Sequence, residues 1–312
     1  MNLPKQVTIC EVGLRDGLQN EKRQFSVEEK LALLNKVIES GIKIIEIGSF
    51  VHPKAVPSMA DTDKLAAAMP RVAGVEYRAL VANLKGVERA QACGITKTKL
   101  TVSASEPHCM SNLNKKPVEI MEGFKDCVDY ARAHQLELSG AISVAFGCPF
   151  QGPVPVTQVE NVIEKFIELG ITELSLSDTT GMANPKQVYE LCRHVKAKYP
   201  QVKWVLHFHN TRDMAMANIL AGMQAGVTVF DGAFAGLGGC PFAPGASGNI
   251  ATEDVVHMLQ EMGIATGVDL PKAIQTARLV GEYLGRTPDS AMLRAGRCQD
   301  LIKEICIQDN NR

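Results

Sequence analysis

Two histidines stand two positions apart at the end of an apolar run, His207 and His209 in VLHFHNT at 205–211. Successive side chains of a strand alternate between its faces, so both imidazoles point to one side and Phe208 points to the other. Neutral imidazole binds divalent metals, and carboxylates commonly complete such sites. Either histidine alone is more typical of a buried structural residue. Taken together with Asp16 and Asp178, the pair favours a metal site.

Further ionisable and polar residues fall where predicted strands end. Carboxyl ends of parallel strands meet at one face of a barrel, which is where barrel enzymes carry their active sites. Glu46, in a buried strand, also fits a structural acid held in a salt bridge. The residues predicted at this face are Glu11, Arg15, Asp16, Glu46, Ser105, Glu106, Asp178, His207, His209 and Asp231.

One loop has an unusual composition, GLGGCPFAPGAS from residue 236, followed by Gly248 and Asn249. Long loops without secondary structure are usually functional lids or disordered segments. Glycines around one cysteine predict a lid that carries Cys240 as a reactive thiol, since a metal or Arg15 nearby would favour its thiolate. The other cysteines considered, Cys10, Cys127 and Cys192, fit packing positions.

The elements that position these residues alternate between strand and helix. Eight strand-like segments occur at 7–12, 42–48, 75–81, 97–104, 138–146, 172–178, 203–209 and 227–234. Helical patterns at 26–41, 118–135, 155–170 and 185–200 lie between them, and Ser26 with Glu29 forms a predicted capping box. This alternation predicts a (β/α)8 TIM barrel, with an open doubly wound sheet as the alternative. The segment 252–308 is predicted to form additional C-terminal helices packed on the barrel, which completes a single catalytic domain over 1–312.

Composition excludes several classes of protein. The 312 residues carry a formal net charge of −1, so they lack the basic field that nucleic-acid binding requires. The chain shows neither a membrane span nor a secretory signal, and nine cysteines without paired motifs indicate free thiols, which predicts a cytoplasmic enzyme. Fingerprints for dinucleotide binding, nucleotide hydrolysis and α/β-hydrolase chemistry do not occur.

Several motifs resemble the 3-hydroxy-3-methylglutaryl-CoA (HMG-CoA) lyase family of the DRE-TIM metallolyase group. The similarity runs from about residue 4 to about residue 290. It is carried by EVGLRDGLQNE (11–21), IIEIGSFVHPKAVPSM (44–59), GCPFQG (147–152), LSDTTGMANP (176–185), HFHNT (207–211) and, most specifically, AGLGGCPFAPGASGNIATED (235–254).

The resemblance implies a barrel that holds one divalent cation and cleaves an acyl-CoA substrate to acetyl-CoA and a keto acid. By position, the metal ligands are Asp16, His207, His209 and Asn249. The histidines would suit Zn²⁺ or Mn²⁺ and the oxygen ligands Mg²⁺ or Mn²⁺, and the resemblance favours Mg²⁺ or Mn²⁺ over Zn²⁺. It also implies a homo-oligomer.

The same comparison assigns the remaining site residues. Arg15 matches the arginine that stabilises the developing enolate. Glu46 and Asp178 match acids that belong to the catalytic site or contact its residues. Cys240 matches the lid thiol, and Asn112 a substrate-proximal asparagine. Asp16 and His207 are both candidates for the general base. Lysines such as Lys22 and Lys54 fit a CoA phosphate contact no better than a solvated surface.

The chain departs from the family pattern in places, which leaves the exact acyl-CoA substrate open. The departures are Leu14, Phe150, Asn210, Arg212, Asp213, Gly232 and Ala233. A condensing enzyme of the same barrel group, similar to isopropylmalate synthase, is the enzymatic alternative. A barrel that only binds CoA esters or a metal is the non-catalytic alternative.

Overall fold

A computed structural model describes residues 1–239 and 248–300 of the chain. Eight parallel strands pair in sequence order and the first closes on the last. The predicted TIM barrel is therefore confirmed, and the open sheet is wrong. The strands are β1 (Thr8–Glu11), β2 (Ile44–Ser49), β3 (Glu76–Val81), β4 (Lys97–Ser103), β5 (Glu137–Ser143), β6 (Glu173–Asp178), β7 (Lys203–Phe208) and β8 (Val229–Gly232).

Helices follow the strands and cover the outside of the barrel. Ser26 and Glu29 cap the first helix reciprocally, as predicted, with Ser26 N–H donating to Glu29 at 2.9 Å. The helices are α1 (Val27–Glu39), α2 (Thr62–Ala68), α3 (Leu84–Ala92), α4 (Glu106–Leu113), α5 (Pro117–Ala133), α6 (Val156–Glu168), α7 (Pro185–Lys198), α8 (Ala215–Gln224), α9 (Thr252–Glu261), α10 (Leu270–Leu284) and α11 (Ala291–Ala295). Among these described helices, none has the length and apolar character needed to cross a membrane.

The C-terminal segment packs on the barrel as additional helices. Helix α9 follows β8, and α10 packs against α1, where the rings of Phe25 and Tyr283 meet edge to face at 6.3 Å. The prediction of helices from residue 252 is confirmed as far as α11, and residues 301–308 lie outside the described part. The sequence analysis did not assign the helices α2, α3, α4 and α8.

The inside of the barrel is more polar than the branched aliphatic filling usual for this fold. Arg78 is only 1% exposed and pairs with Glu173 at 2.6 Å and with Glu76. Lys97 also reaches Glu173, at 2.9 Å. Buried charges need partners, and these ion pairs provide them, although Nη2 of Arg78 makes no hydrogen bond within the described residues.

Candidate active site

The chain leaves β1 through a tight π-helical turn, Gly13–Gly17, that carries Arg15 and Asp16. The carbonyl of Val12 accepts the N–H groups of both residues, at 3.1 and 2.7 Å. A side chain at Gly13 would place its Cβ 2.6 Å from atoms of Glu11 and Phe234, so the turn requires glycine there. The turn therefore directs both ionisable side chains over the barrel mouth.

A cavity of about 190 Å³ opens at the carboxyl ends of the strands. It is lined mainly by polar side chains from several strands, which agrees with the position of active sites in this fold. Among its lining residues are Arg15, Asp16, Lys99, Asn112, His207 and His209. Four of these six residues were predicted to bind metal or to act in catalysis.

The histidine pair lies at the floor of this cavity. As predicted, the two rings share one face of β7 and its extension, with centroids 5.1 Å apart, while Phe208 packs against Phe146 on the other side. The Nε2 atoms of His209 and His207 lie 3.3 and 3.7 Å from Oδ2 of Asp16. A ligand atom from each of these three residues lies within 4.8 Å of the others.

Asn249 joins the same cluster from the segment after β8. Its backbone bridges to His209, and its side-chain nitrogen donates to Asp16 Oδ2 at 2.8 Å and to the carbonyl of Leu237 at 3.0 Å. A cation would need the amide oxygen, and the two ends of an asparagine amide are nearly identical in shape. The structure thus brings the four predicted ligands together, and the amide of Asn249 directs its nitrogen, not its oxygen, towards Asp16.

The charge state of the cluster fits a divalent cation. Burial alone would raise the pKa of Asp16, but Arg15 and the two imidazoles outweigh it and hold that pKa well below its usual range. Burial lowers the pKa of His209, which keeps its imidazole neutral. An ionised carboxylate and a neutral imidazole are the forms that bind metals. Asp16, His207, His209 and a reoriented Asn249 would hold the ion.

Arg15 is fixed beside this cluster. Its guanidinium pairs with both Asp16 and Glu46, and the Arg15 side chain is about one-tenth exposed at the cavity wall. Glu46 is completely buried, and Arg15 and Lys99 lower its pKa although burial opposes that shift. Glu46 thus holds the guanidinium of Arg15 from the buried side of the cavity wall. This position is compatible with both roles predicted for Glu46, a structural acid in a salt bridge and an acid of the catalytic site.

The other predicted site residues occupy different surroundings. Asp178 ends β6 behind the cavity lining, where its carboxylate accepts the N–H of Met182 at 2.8 Å and burial raises its pKa to about 6. Asn112 is exposed on α4 at the cavity edge. Cys240 lies outside the described residues. Lys22 and Lys54 are exposed and do not line the cavity.

Glu11 and Ser105 reach the same end of the barrel without lining the cavity. Glu11 accepts the N–H groups of Gly13 and Phe234, at 2.7 and 3.0 Å, and the hydroxyl of Thr252 at 2.7 Å. Ser105 caps α4. These two polar residues stabilise the connections that carry the site.

The HMGL-like family model matches residues 6–280, which contain all of these elements except the last part of the C-terminal helices. The chain belongs to the HMGL-like family. A hydroxymethylglutaryl-CoA lyase of Bacillus subtilis is 44% identical over 294 residues, which are 94% of this chain and 98% of that protein. A 3-hydroxy-3-isohexenylglutaryl-CoA/hydroxy-methylglutaryl-CoA lyase of Pseudomonas aeruginosa is 40% identical over 95% of this chain and 98% of its own.

A solved structure of the same family has a similar fold. The HMG-CoA lyase of Acinetobacter baumannii, in complex with coenzyme A and 3-methylmalate, superposes with a TM-score of 0.93 at 39% identity. The match covers 96% of this chain and 98% of that one.

The cavity of this family member also contains residues that sequence reasoning did not single out. Asp231, noted only as a strand end, holds His207 Nδ1 at 3.2 Å, and Lys99 lies between Asp231 and Glu46. The hydroxyls of Thr101 and Ser143 add polar surface. The alternation KTKLTVSA in the predicted fourth strand was the available signal, since Lys97, Lys99 and Thr101 share one face.

The departures from the family pattern have local explanations. Asn210 bonds Asp213 at 3.1 Å, and Arg212 donates to the carbonyls of Thr180 and Gly181 at 2.9 Å, which builds the loop after β7. A Cβ at Gly232 would meet Thr252 Oγ1 at 2.7 Å. None of these residues lines the described cavity.

Proposed function

We propose that the chain is a divalent-metal-dependent lyase that cleaves HMG-CoA to acetyl-CoA and acetoacetate. The observation that carries the proposal is the convergence of Asp16, His207 and His209 beside Arg15 at the floor of one cavity. Identity of 44% to a hydroxymethylglutaryl-CoA lyase over nearly the whole chain supports the choice of substrate. Mg²⁺ or Mn²⁺ is the proposed ion.

The reaction breaks the bond between C2 and C3 of the acyl group. The 3-hydroxyl loses its proton, its oxygen becomes the ketone of acetoacetate, and the electron pair of the broken bond passes into the enolate of acetyl-CoA. A bound divalent cation would lower the pKa of that hydroxyl and orient the free carboxylate. The guanidinium of Arg15 stabilises the enolate oxygen, an effect worth about 3 kcal/mol in a preorganised site.

Two groups at the cavity floor could accept the hydroxyl proton. Asp16 is a weak acceptor because its pKa is held low. With Nδ1–H donating to Asp231 at 3.2 Å, His207 has one lone pair left, on Nε2, which either binds the cation or accepts the proton, so His207 can act as the base only while the other three residues hold the ion. Cys240 or water would return a proton to C2, and Glu46 would keep Arg15 in place.

Steady-state formation of acetyl-CoA from HMG-CoA tests this function. We expect turnover that EDTA abolishes and that Mn²⁺ or Mg²⁺ restores, and we expect His207→Ala to reduce kcat roughly 1000-fold. His194→Ala, at an exposed histidine on α7, is the matched control and should retain wild-type kcat. Metal-loaded protein that forms no acetyl-CoA from HMG-CoA or from a 3-isohexenyl analogue would reject the proposal.

A further inference from the structure

Lys99 lies in the middle of β4 with a side chain that is 4% exposed, and it lines the cavity beside the residues proposed to act in the reaction. Its ammonium nitrogen is 2.8 Å from Oε2 of Glu46 and 3.5 Å from Oδ2 of Asp231. A lysine is rarely buried in this way unless it is paired. The placement therefore needs both carboxylates.

Each of these carboxylates also holds one residue of the proposed reaction. Glu46 accepts from Nε of Arg15 through its other oxygen, and Asp231 faces Nδ1 of His207 at 3.2 Å. Charges thus alternate along Arg15, Glu46, Lys99 and Asp231, and the imidazole of His207 lies beside Asp231. Lys99 therefore connects the pair formed by Arg15 and Glu46 with the pair formed by Asp231 and His207.

Electrostatics explain why a positively charged side chain is needed between Glu46 and Asp231. Glu46 and Asp231 are 0% and 4% exposed, and the negative charge of Asp231 opposes ionisation of Glu46. Burial would lower the pKa of Lys99, but Asp231 and Glu46 raise it above its ordinary value, so the ammonium stays charged. Without it, two buried carboxylates would face each other across the cavity wall and would have to rearrange.

We propose that Lys99 is a positioning residue of the lyase reaction, which fixes the guanidinium of Arg15 and the imidazole of His207 relative to each other through Glu46 and Asp231. This inference rests on the proposed function for its kinetic consequences. Its structural content, the bridge between two carboxylates, is independent of the substrate.

The alternative is that Lys99 only stabilises the barrel, and the chain offers a matched control for that role. Lys97 lies two residues earlier on the same face of β4 and is similarly buried, with 8% of its side chain exposed. It pairs with Glu173 at 2.9 Å and with Glu137 at 3.3 Å, and it does not line the cavity. Its removal should affect stability without affecting the site.

The first test compares Lys99→Met with Lys97→Met after urea unfolding has shown that both fold. We expect Lys99→Met to lower kcat about 100-fold while KM for HMG-CoA changes less than about threefold, and Lys97→Met to keep kcat within about twofold. Wild-type kcat in Lys99→Met, or equal losses in both variants, would overturn the inference. Lys99→Gln replaces Lys99→Met should that variant fail to fold.

A second test asks whether Lys99 acts through Asp231. Because both substitutions break the same link, the loss of kcat in Lys99→Met/Asp231→Asn should be at least about tenfold smaller than the product of the single losses. Losses that multiply would contradict the inference.

A crystal structure of Lys99→Met separates this inference from the proposed function. We expect the contact of Arg15 with Glu46, that of His207 with Asp231, or both to be lost, even if the wild-type protein cleaves no HMG-CoA. Both contacts unchanged would overturn the inference, whereas an inactive wild type would overturn only the proposed function.

Discussion

His207 shows how much of the site depends on a single side chain. Its Nε2 faces Asp16 and its Nδ1 faces Asp231, so the second carboxylate orients the ring for whatever the first nitrogen binds. Carboxylates behind metal-binding histidines fix the tautomer and raise the basicity of the ligand. Asp231 is therefore expected to control metal binding although it is not itself a proposed ligand.

Asp231→Asn tests that control. We expect the dissociation constant for Mn²⁺ to rise roughly tenfold or more, because the neutral amide supports the imidazole less well. Titration of metal-free protein with Mn²⁺, followed by electron paramagnetic resonance, measures the change. Asp213→Asn, in the exposed loop after β7, should leave the affinity at its wild-type value, and equal affinities for all three proteins would contradict the role given to Asp231.

A second buried acid predicts how stability depends on pH. Burial, reinforced by the charge of Asp254, raises the pKa of Glu253 from 4.5 to about 7, and both of its oxygens lie 3.1 Å from the N–H of Ala235. Between pH 4.5 and about pH 7, the carboxyl of Glu253 keeps its proton in the folded protein and loses it in the unfolded chain. The stability associated with the neutral carboxyl is therefore fully present below pH 4.5 and is lost as pH rises towards about 7.

Glu253→Gln should remove this part of the pH dependence. Between about pH 5 and about pH 7, the wild-type free energy of unfolding should fall by about 2 kcal/mol relative to that of Glu253→Gln. Urea unfolding at several pH values measures both curves. The curve of Glu282→Gln, at an exposed position of α10, should run parallel to that of the wild type. A parallel curve for Glu253→Gln would show that folding does not raise the pKa of Glu253.

Single site residues could be predicted from the sequence where they have a distinctive spacing or belong to a motif. His207 and His209 were predicted from the two-residue period of a strand, and the structure brings them to Asp16. Lys99 was missed because a lysine in a short strand usually faces solvent, and only the partners Glu46 and Asp231 show why it is buried. Those partners are distant in sequence, so their contact depends on barrel closure.

Among the elements, the backbone at 236–238 packs closely against the backbone at 248–249. Gly248 has a φ of +95°, and a Cβ there would approach the carbonyl oxygens of Gly238 and Gly236 to 2.7 and 2.8 Å. The next residue is Asn249, whose side chain meets Asp16. Backbone strain at Gly248 should therefore be transmitted to the proposed metal ligands.

Gly248→Ala tests this coupling against Gly263→Ala. Gly263 also has a left-handed φ, +70°, but no atom lies within 4 Å of a Cβ built there. Both variants should lose about 1 kcal/mol of stability from the backbone, and Gly248→Ala should lose roughly 2 kcal/mol more from the clash. We expect kcat/KM to fall at least about tenfold only in Gly248→Ala. Equal activity in the two variants would show that the segment tolerates displacement.

The strands and most helices could be predicted because their patterns are local. The segments at 97–104 and 203–209 agree with β4 and β7 to within a residue at each end. The irregularities could not be predicted in this way. The register shift between Glu46 and Gly48, where β2 meets β3, and the tight turn at Gly13–Gly17 arise from neighbours that the local pattern does not contain.

For the whole molecule, closure of the barrel makes the site a single unit. The turn after β1 and the strands β2, β4, β7 and β8 contribute to one network, which runs from Arg15 through Glu46, Lys99 and Asp231 to His207. Alternation of strands and helices predicted the closed fold, but not the ionic filling of its interior. That the predicted protein is a homo-oligomer, and a single domain over 1–312, stays a prediction.

Anomalous diffraction from crystals grown with Mn²⁺ shows whether the proposed ligands bind an ion. We expect one strong peak within coordination distance of Asp16, His207 and His209, with the amide oxygen of Asn249 turned towards it. A fully loaded protein with its peak elsewhere, or with the two imidazoles turned away from the ion, would contradict this expectation.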